Sequence, residues 1–265
     1  MRVTMVSAAG HPGRPNEDFT GAVPGAAVLV DGAGIPGAES VCRHGVAWYA
    51  RRLGGTLLAL LAPDAGPPSL PALLAEAIRQ VTDAHRGTCD VADPISPSAT
   101  VAVLRLNGGL ADHLVLGDCF LALDRAGAAP LVVTDPREVV ISGSYEPALD
   151  AAAGDAAAYG RILRDLRARR NAPGGFWVAK DDPRAADEAV TGSVPIAELT
   201  AAALLSNGAA RFVERFQLAG WSEVMSVLAS AGPAGIIDSV RRAEASHGVP
   251  SDDATITHCT AFTAL

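Results

Sequence analysis

Lysine is almost missing from this chain. Lys180 is the only one, and the 21 basic residues face 29 acidic ones, for a formal net charge of −8. That balance excludes the broad cationic footprint of a nucleic-acid-binding domain. With the load of Ala, Gly and Pro, the scarcity of lysine reflects a GC-rich coding bias rather than a function. No apolar run reaches the roughly 18–20 uncharged residues that a membrane span needs. Residues 1–10 carry a single charge, Arg2, and no long apolar core, so no export signal is visible and a cytoplasmic protein is expected. The four cysteines, Cys42, Cys89, Cys119 and Cys259, have a spacing that matches no zinc pattern. They are expected to be reduced, buried thiols. Internal repeats and low-complexity linkers are absent.

What is present reads as compact and globular: 265 residues, 49% apolar and 19% charged. Strands are expected at Arg2–Ser7 and at Ala26–Val30, a short run of small and β-branched residues. Helices are expected over Ala38–Leu61 and Leu70–His85, where apolar residues recur at helical spacing. Short strand-like runs follow at Thr100–Leu106, His113–Leu116, Phe120–Leu123 and Leu131–Thr134, a rhythm that favours antiparallel pairing. Residues 136–195 break it, with one expected helix at Ala156–Arg169. Long excursions of this kind are lids or binding loops. A strand at Ala201–Leu205, helical patterns to about Ala245 and a strand at Ala254–Thr263 complete the chain. The organisation expected is a single domain, 1–265, with a flap insertion at about 136–195.

The charged share is low, yet acids stand where strands stop. Glu17-Asp18 follows a Pro/Gly loop, Asp31 follows Val28-Leu29-Val30, Asp118 follows Leu114-Val115-Leu116-Gly117, and Asp252-Asp253 precedes the last strand. Each alone can be a turn residue satisfying backbone N–H groups. Converging from different strands, they would form an all-oxygen site for a hard cation such as Mg²⁺ or Mn²⁺.

Six segments in order resemble the metal-dependent, type 2C-like serine/threonine protein phosphatases of bacteria. They are Arg14-Pro15-Asn16-Glu17-Asp18, Val30-Asp31-Gly32-Ala33-Gly34, Ser96-Pro97-Ser98-Ala99-Thr100, Leu116-Gly117-Asp118-Cys119, Leu205-Ser206-Asn207-Gly208 and Ser251-Asp252-Asp253-Ala254-Thr255. The resemblance spans nearly the whole chain. It implies an α+β fold, a four-layer αββα sandwich of two antiparallel sheets flanked by helices, with two metals at one end. Asp31 would bridge the metals, Gly32 would offer its carbonyl, Asp252 would close the site, and Glu17 and Asp18 would hold metal-bound waters. Asp118 corresponds to an aspartate linked to a third metal. Arg14 would hold the phosphate with a bidentate guanidinium, although it stands three residues before Glu17 where many relatives place it four before. The implied reaction is hydrolysis of phosphoserine or phosphothreonine in a protein, a kinase product, by a metal-activated water.

Some positions depart from the pattern. Asn207 stands where the family has a metal-binding aspartate, so it is either a neutral oxygen ligand or part of an Asn-Gly turn with positive φ. Arg211 stands where some relatives carry an acid for the third metal, which makes a third ion doubtful. Ala33 replaces a histidine used by some relatives as a proton donor. His44 and His11 are candidate replacements, His44 equally a packed helix residue. A cysteine nucleophile is not expected, since Cys119 and Cys259 lie beside no motif histidine. The turn Asn171–Trp177 is either local flap packing or a substrate-docking lip. Two further functions stay open: a weak or silent phosphatase-like module that binds a phosphoprotein or kinase, and a hydrolase of small phosphoesters.

Overall fold

The computed structural model describes residues 1–34, 40–62 and 68–262. Ten strands form two five-stranded antiparallel sheets. The first is ordered β1 (Arg2–Ala8), β10 (Ala254–Thr260), β9 (Leu199–Leu205), β6 (Phe120–Arg125), β7 (Ala128–Val133). The second runs β2 (Phe19–Val23), β3 (Ala26–Ala33), β4 (Ser98–Asn107), β5 (Leu110–Leu116), β8 (Val190–Pro195). Helices α1 (Val46–Leu61) and α2 (Leu70–His85) cover the second sheet, and α5 (Asn207–Glu214) and α6 (Trp221–His247) cover the first. Helices α3 (Arg137–Ala151) and α4 (Ala156–Arg167) lie between β7 and β8.

The strand period of two explains the four layers. In β3, Ala27 and Leu29 pack between the sheets against Leu121, Leu123, Ala202 and Leu204. Val28 and Val30 point the other way, into Tyr49, Leu53 and Ile78 of the helices. Both faces are covered, so the strand reads as a continuous apolar run rather than an alternating one. The same division holds in the first sheet, where Leu204 faces its partner sheet and Ala203 and Leu205 meet α5 and α6. Each fully buried Leu contributes roughly 1.5–3 kcal/mol. Helix α2 begins where Ser69 Oγ accepts from the Ala72 amide (3.3 Å), with Pro71 in the first turn and Leu73, Leu74, Ala77, Ile78 and Val81 on the buried stripe. Helix α6 is broken at Gly232 (φ 72°), next to Pro233.

Several sequence expectations shift. The first helix starts at Val46, after a turn at residues 40–45; the expected start at Ala38-Glu39 lies outside the described residues, as does Thr263 at the end of the last strand. Strand β2 has no counterpart among the expected strands, because its five residues are all half-buried and show no alternation. The excursion contains two helices rather than one, and Val190–Pro195 at its end is the edge strand β8, paired to β5 from Val115↔Val190 to Leu110↔Pro195. Helix α3 buries none of its residues, so no apolar stripe marks it in the sequence.

Candidate functional site

The acidic positions meet at one end of the sandwich. Strand β3 carries Asp31 past its pairing with Thr100, and Gly32 past Ala99. A Cβ on Gly32 would lie 2.4 Å from the Glu17 carbonyl oxygen, so only glycine lets the two backbones approach. Asp31 Oδ2 accepts from the Asn207 backbone N–H (2.9 Å), at the first turn of α5. The Asn207 side-chain amide donates to Asp118 Oδ2 (2.9 Å). Asp118 follows Gly117, whose φ of 77° and close approach to Thr100 exclude a side chain. Asn207 and Gly208 thus open a helix, and neither is among the positive-φ residues; the turn alternative for this segment does not hold.

The closing pair divides its work. Asp253 accepts from the backbone N–H of Gly10 (2.7 Å) and of Glu17 (2.6 Å), tying the loop after β1 to the strand end before β10. Asp252 is turned outward, with half of its side chain exposed, and pairs with Arg211 (2.8 Å), which also holds the fully buried Glu244 (2.8 Å). This use of Arg211 is not legible in the sequence.

Mutual repulsion and burial govern the protonation of the group. Asp31 is held well above the ordinary carboxylate range, first by burial and then by the charges of Asp18, Asp118 and Asp252. Burial pushes Asp18 up to about 7, against the hydrogen bonds it receives from Thr255 and Ser206. Asp118 is pushed up to about 7 by burial and by Glu138. Glu17 is raised by burial and by Asp253 and Asp252, and Arg14 opposes this. Arg14 lines a cavity of about 190 Å³ with His11, Glu17, Ser251, Asp252 and Asp253. The expected phosphate arginine therefore stands beside the acids.

A hard divalent cation fits this donor set. All the donors are oxygens, and one of them, Asp18 Oδ2, is buried with no hydrogen-bond partner. Raised carboxylate pKa values are what a group gathered for a cation shows without it. Asn207 turns its backbone and side-chain nitrogens to Asp31 and Asp118, and Arg211 brings a competing positive charge to Asp252.

Other expectations resolve elsewhere. The His44 ring stacks on Trp48 (4.4 Å) and its Nδ1 lies 3.3 Å from Cys89 Sγ. Cys42, Cys119 and Cys259 are buried, whereas Cys89 is only half-buried. In the flap, Phe176 and Val178 pack with Leu166 against Ile141, Tyr145 and Leu163, so Phe176 serves local packing rather than an exposed lip. No described helix is long and apolar enough to cross a membrane.

No family model matches the sequence, and no curated protein matches it either. Solved structures match it in three dimensions. The serine/threonine phosphatase PstP/Ppp of Mycobacterium tuberculosis aligns with a TM-score of 0.63 at 14% identity, covering 98% of this chain and 99% of that one. Serine/threonine phosphatase Stp1 of Staphylococcus aureus aligns at 0.60 and 12% identity, covering 98% and 95%. PppA, a key regulatory component of T6SS in Pseudomonas aeruginosa, aligns at 0.59 and 20% identity, covering 98% and 97%. At these identities the likeness is one of fold: the chain has the α+β sandwich of bacterial type 2C-like phosphatases.

Proposed function

We propose that this protein is a metal-dependent hydrolase of phosphoserine or phosphothreonine in proteins. The observation that carries the reading is the convergence of Asp31, Asp18, Asp118 and Asp252 on one strand end, with Asp18 Oδ2 buried and unpartnered. Asp31, the Gly32 carbonyl, Asn207 and Asp252 would hold two ions, Mg²⁺ or Mn²⁺, with Glu17 and Asp18 behind them and Asp118 at the margin. Bound there, the ions would supply a water acidic enough to attack at neutral pH and positive charge for the phosphoryl oxygens. The chain's own part is positional. Asp253 fixes the Gly10 and Glu17 backbones, and the Asn207 N–H orients Asp31. Arg14, in the lining of the cavity, would take the substrate phosphate as a fork. The substrate would be a kinase product in the cytoplasm; the net charge of −8 speaks against nucleic acid.

A second reading has specific support. Asn207 lacks the charge of an aspartate, and Arg211 already neutralises part of Asp252. Both weaken the hold on a second ion, as in a weak or silent module that recognises a phosphoprotein or a kinase. One experiment separates the two. Phosphate release from a phosphothreonine peptide is measured with Mn²⁺, for the native chain and for Asp31→Ala. The enzyme reading requires Mn²⁺-dependent turnover, reduced on the order of a thousandfold in a folded Asp31→Ala variant. Binding of the peptide without turnover favours the silent module. Equal turnover in both forms refutes the assignment of Asp31.

A further inference from the structure

A second group of side chains able to ligate a metal stands in the turns before α1 and after α2. Cys42, His44 and Cys89 bring one ligand atom each to within 4.8 Å of one another, and no acidic residue takes part. Cys42 and His44 belong to the turn before α1, and Cys89 to the turn after α2. The two turns are laced together by a backbone bond from the Asp90 N–H to the Val41 carbonyl (2.8 Å). We infer that Cys42, His44 and Cys89 form a binding site for one soft divalent ion, zinc by its ligand chemistry, that fastens the start of α1 to the end of α2.

The geometry suits that ion. A tetrahedral zinc with its usual bond lengths places neighbouring ligand atoms roughly 3.5–3.8 Å apart. The Cys89 Sγ to His44 Nδ1 separation is 3.3 Å, a small relaxation from that value. Gly45, at φ 76°, turns the chain between His44 and α1.

The surroundings hold the histidine in place. Trp48 stacks on the His44 ring, and His85 stands edge-on to both rings, pinned through Nδ1 to the Val81 carbonyl (2.6 Å). Cys42 is buried, whereas His44 and Cys89 are half-buried, so the group opens on one side. Three protein ligands leave a fourth position there for water. Soft sulfur ligands select zinc over the hard cations suited to the carboxylates, so the two sites would not compete for one metal. The spacing Cys-x-His with a distant Cys fits no sequence pattern for zinc because the two turns meet only in the folded chain. The inference stands independently of the phosphatase reading.

The test uses the full chain, purified reduced and stripped with a chelator, then titrated with Co²⁺ in the presence of excess Mg²⁺. Thiolate-to-cobalt charge-transfer absorption should rise and saturate at one equivalent, and zinc should bleach it. Cys89→Ser, at the half-exposed rim, should keep the native circular dichroism and weaken Co²⁺ binding at least about tenfold. His44→Ala should do the same. A reduced, folded native chain with no charge-transfer band overturns the proposal. So does a band unchanged in Cys89→Ser, or a Cys42–Cys89 disulfide recovered where the metal should be.

Discussion

At the residue scale, the site turns on single charges. Asn207 keeps an oxygen but lacks the carboxylate that would offset repulsion between two cations. Asn207→Asp should lower the Mn²⁺ concentration for half-maximal turnover, on the order of tenfold. It should also remove the amide bond to Asp118 and set two carboxylates facing each other, so the metal-free variant should melt below the native chain. Equal Mn²⁺ requirements and equal melting would show that Asn207 faces no cation. The closing pair gives a contrast. Asp253 accepts two backbone bonds, so Asp253→Ala should destabilise the fold by about 2–4 kcal/mol, read by urea denaturation. Asp252, half-exposed, accepts a backbone bond only from its neighbour Asp253 (3.1 Å) and ties no distant backbone, so Asp252→Asn should leave the urea midpoint near native and cripple turnover. The reverse outcome would mean that the motif is displaced by one residue.

At the scale of elements, the segment between β7 and β8, expected as a flap, has a small core of its own. Helices α3 and α4 gather around Leu166, Phe176 and Val178, and Asn171 closes the turn with its side-chain oxygen on the Val178 N–H (2.9 Å). Phe176 is 1% exposed. Phe176→Ala should cost roughly 3–5 kcal/mol locally, enough to open this part of the fold while the sheets persist. Limited proteolysis should then cut within residues 137–175 of the variant and spare the native chain. Cutting spread evenly over the chain would show that the flap and the sandwich unfold together. Arg164 of α4 reaches Asp93 (2.9 Å), and Lys180 reaches Asp181 (2.7 Å) and the Val91 carbonyl (2.5 Å), so the flap is tied to the turn after α2. The only lysine in the chain is thus spent on an internal fastening, not on a surface charge.

At the scale of the whole molecule, the acid group makes stability depend on pH in an unusual direction. Asp18 and Asp118 are pushed up to about 7 from an ordinary 3.8. In that window the folded chain holds protons that the unfolded chain has released, so stability falls as pH rises through it. Carboxylates held low act elsewhere: Asp112, where burial is outweighed by its bond to Arg105, loses its contribution only as pH drops below the ordinary range. Without divalent metal the melting temperature should be higher at about pH 5.5 than at about pH 8. Mg²⁺ or Mn²⁺ should raise it more at the higher pH, where no proton competes. Calorimetry at both values checks this, and a metal effect independent of pH would place the ions away from these acids.

Local chemistry makes much of this legible from sequence. Helix α2 is readable to its ends because Ser69, Pro71 and an apolar stripe act within a few residues. The central strands are readable because both their faces are buried, which forces continuous apolar runs such as Ala26–Val30. The acids are readable because each closes or precedes such a run. What depends on contacts between distant segments is not. Helix α3 has no buried stripe to betray it, and β8 is an edge strand defined by its pairing with β5. The hold of Arg211 on Asp252 spans 41 positions, and Cys89 meets His44 across 45. Chain spacing carries no record of such meetings. They exist only because the sheets, once packed together, bring separate turns side by side, and that closure decided which charges offset one another and which thiols share a neighbour.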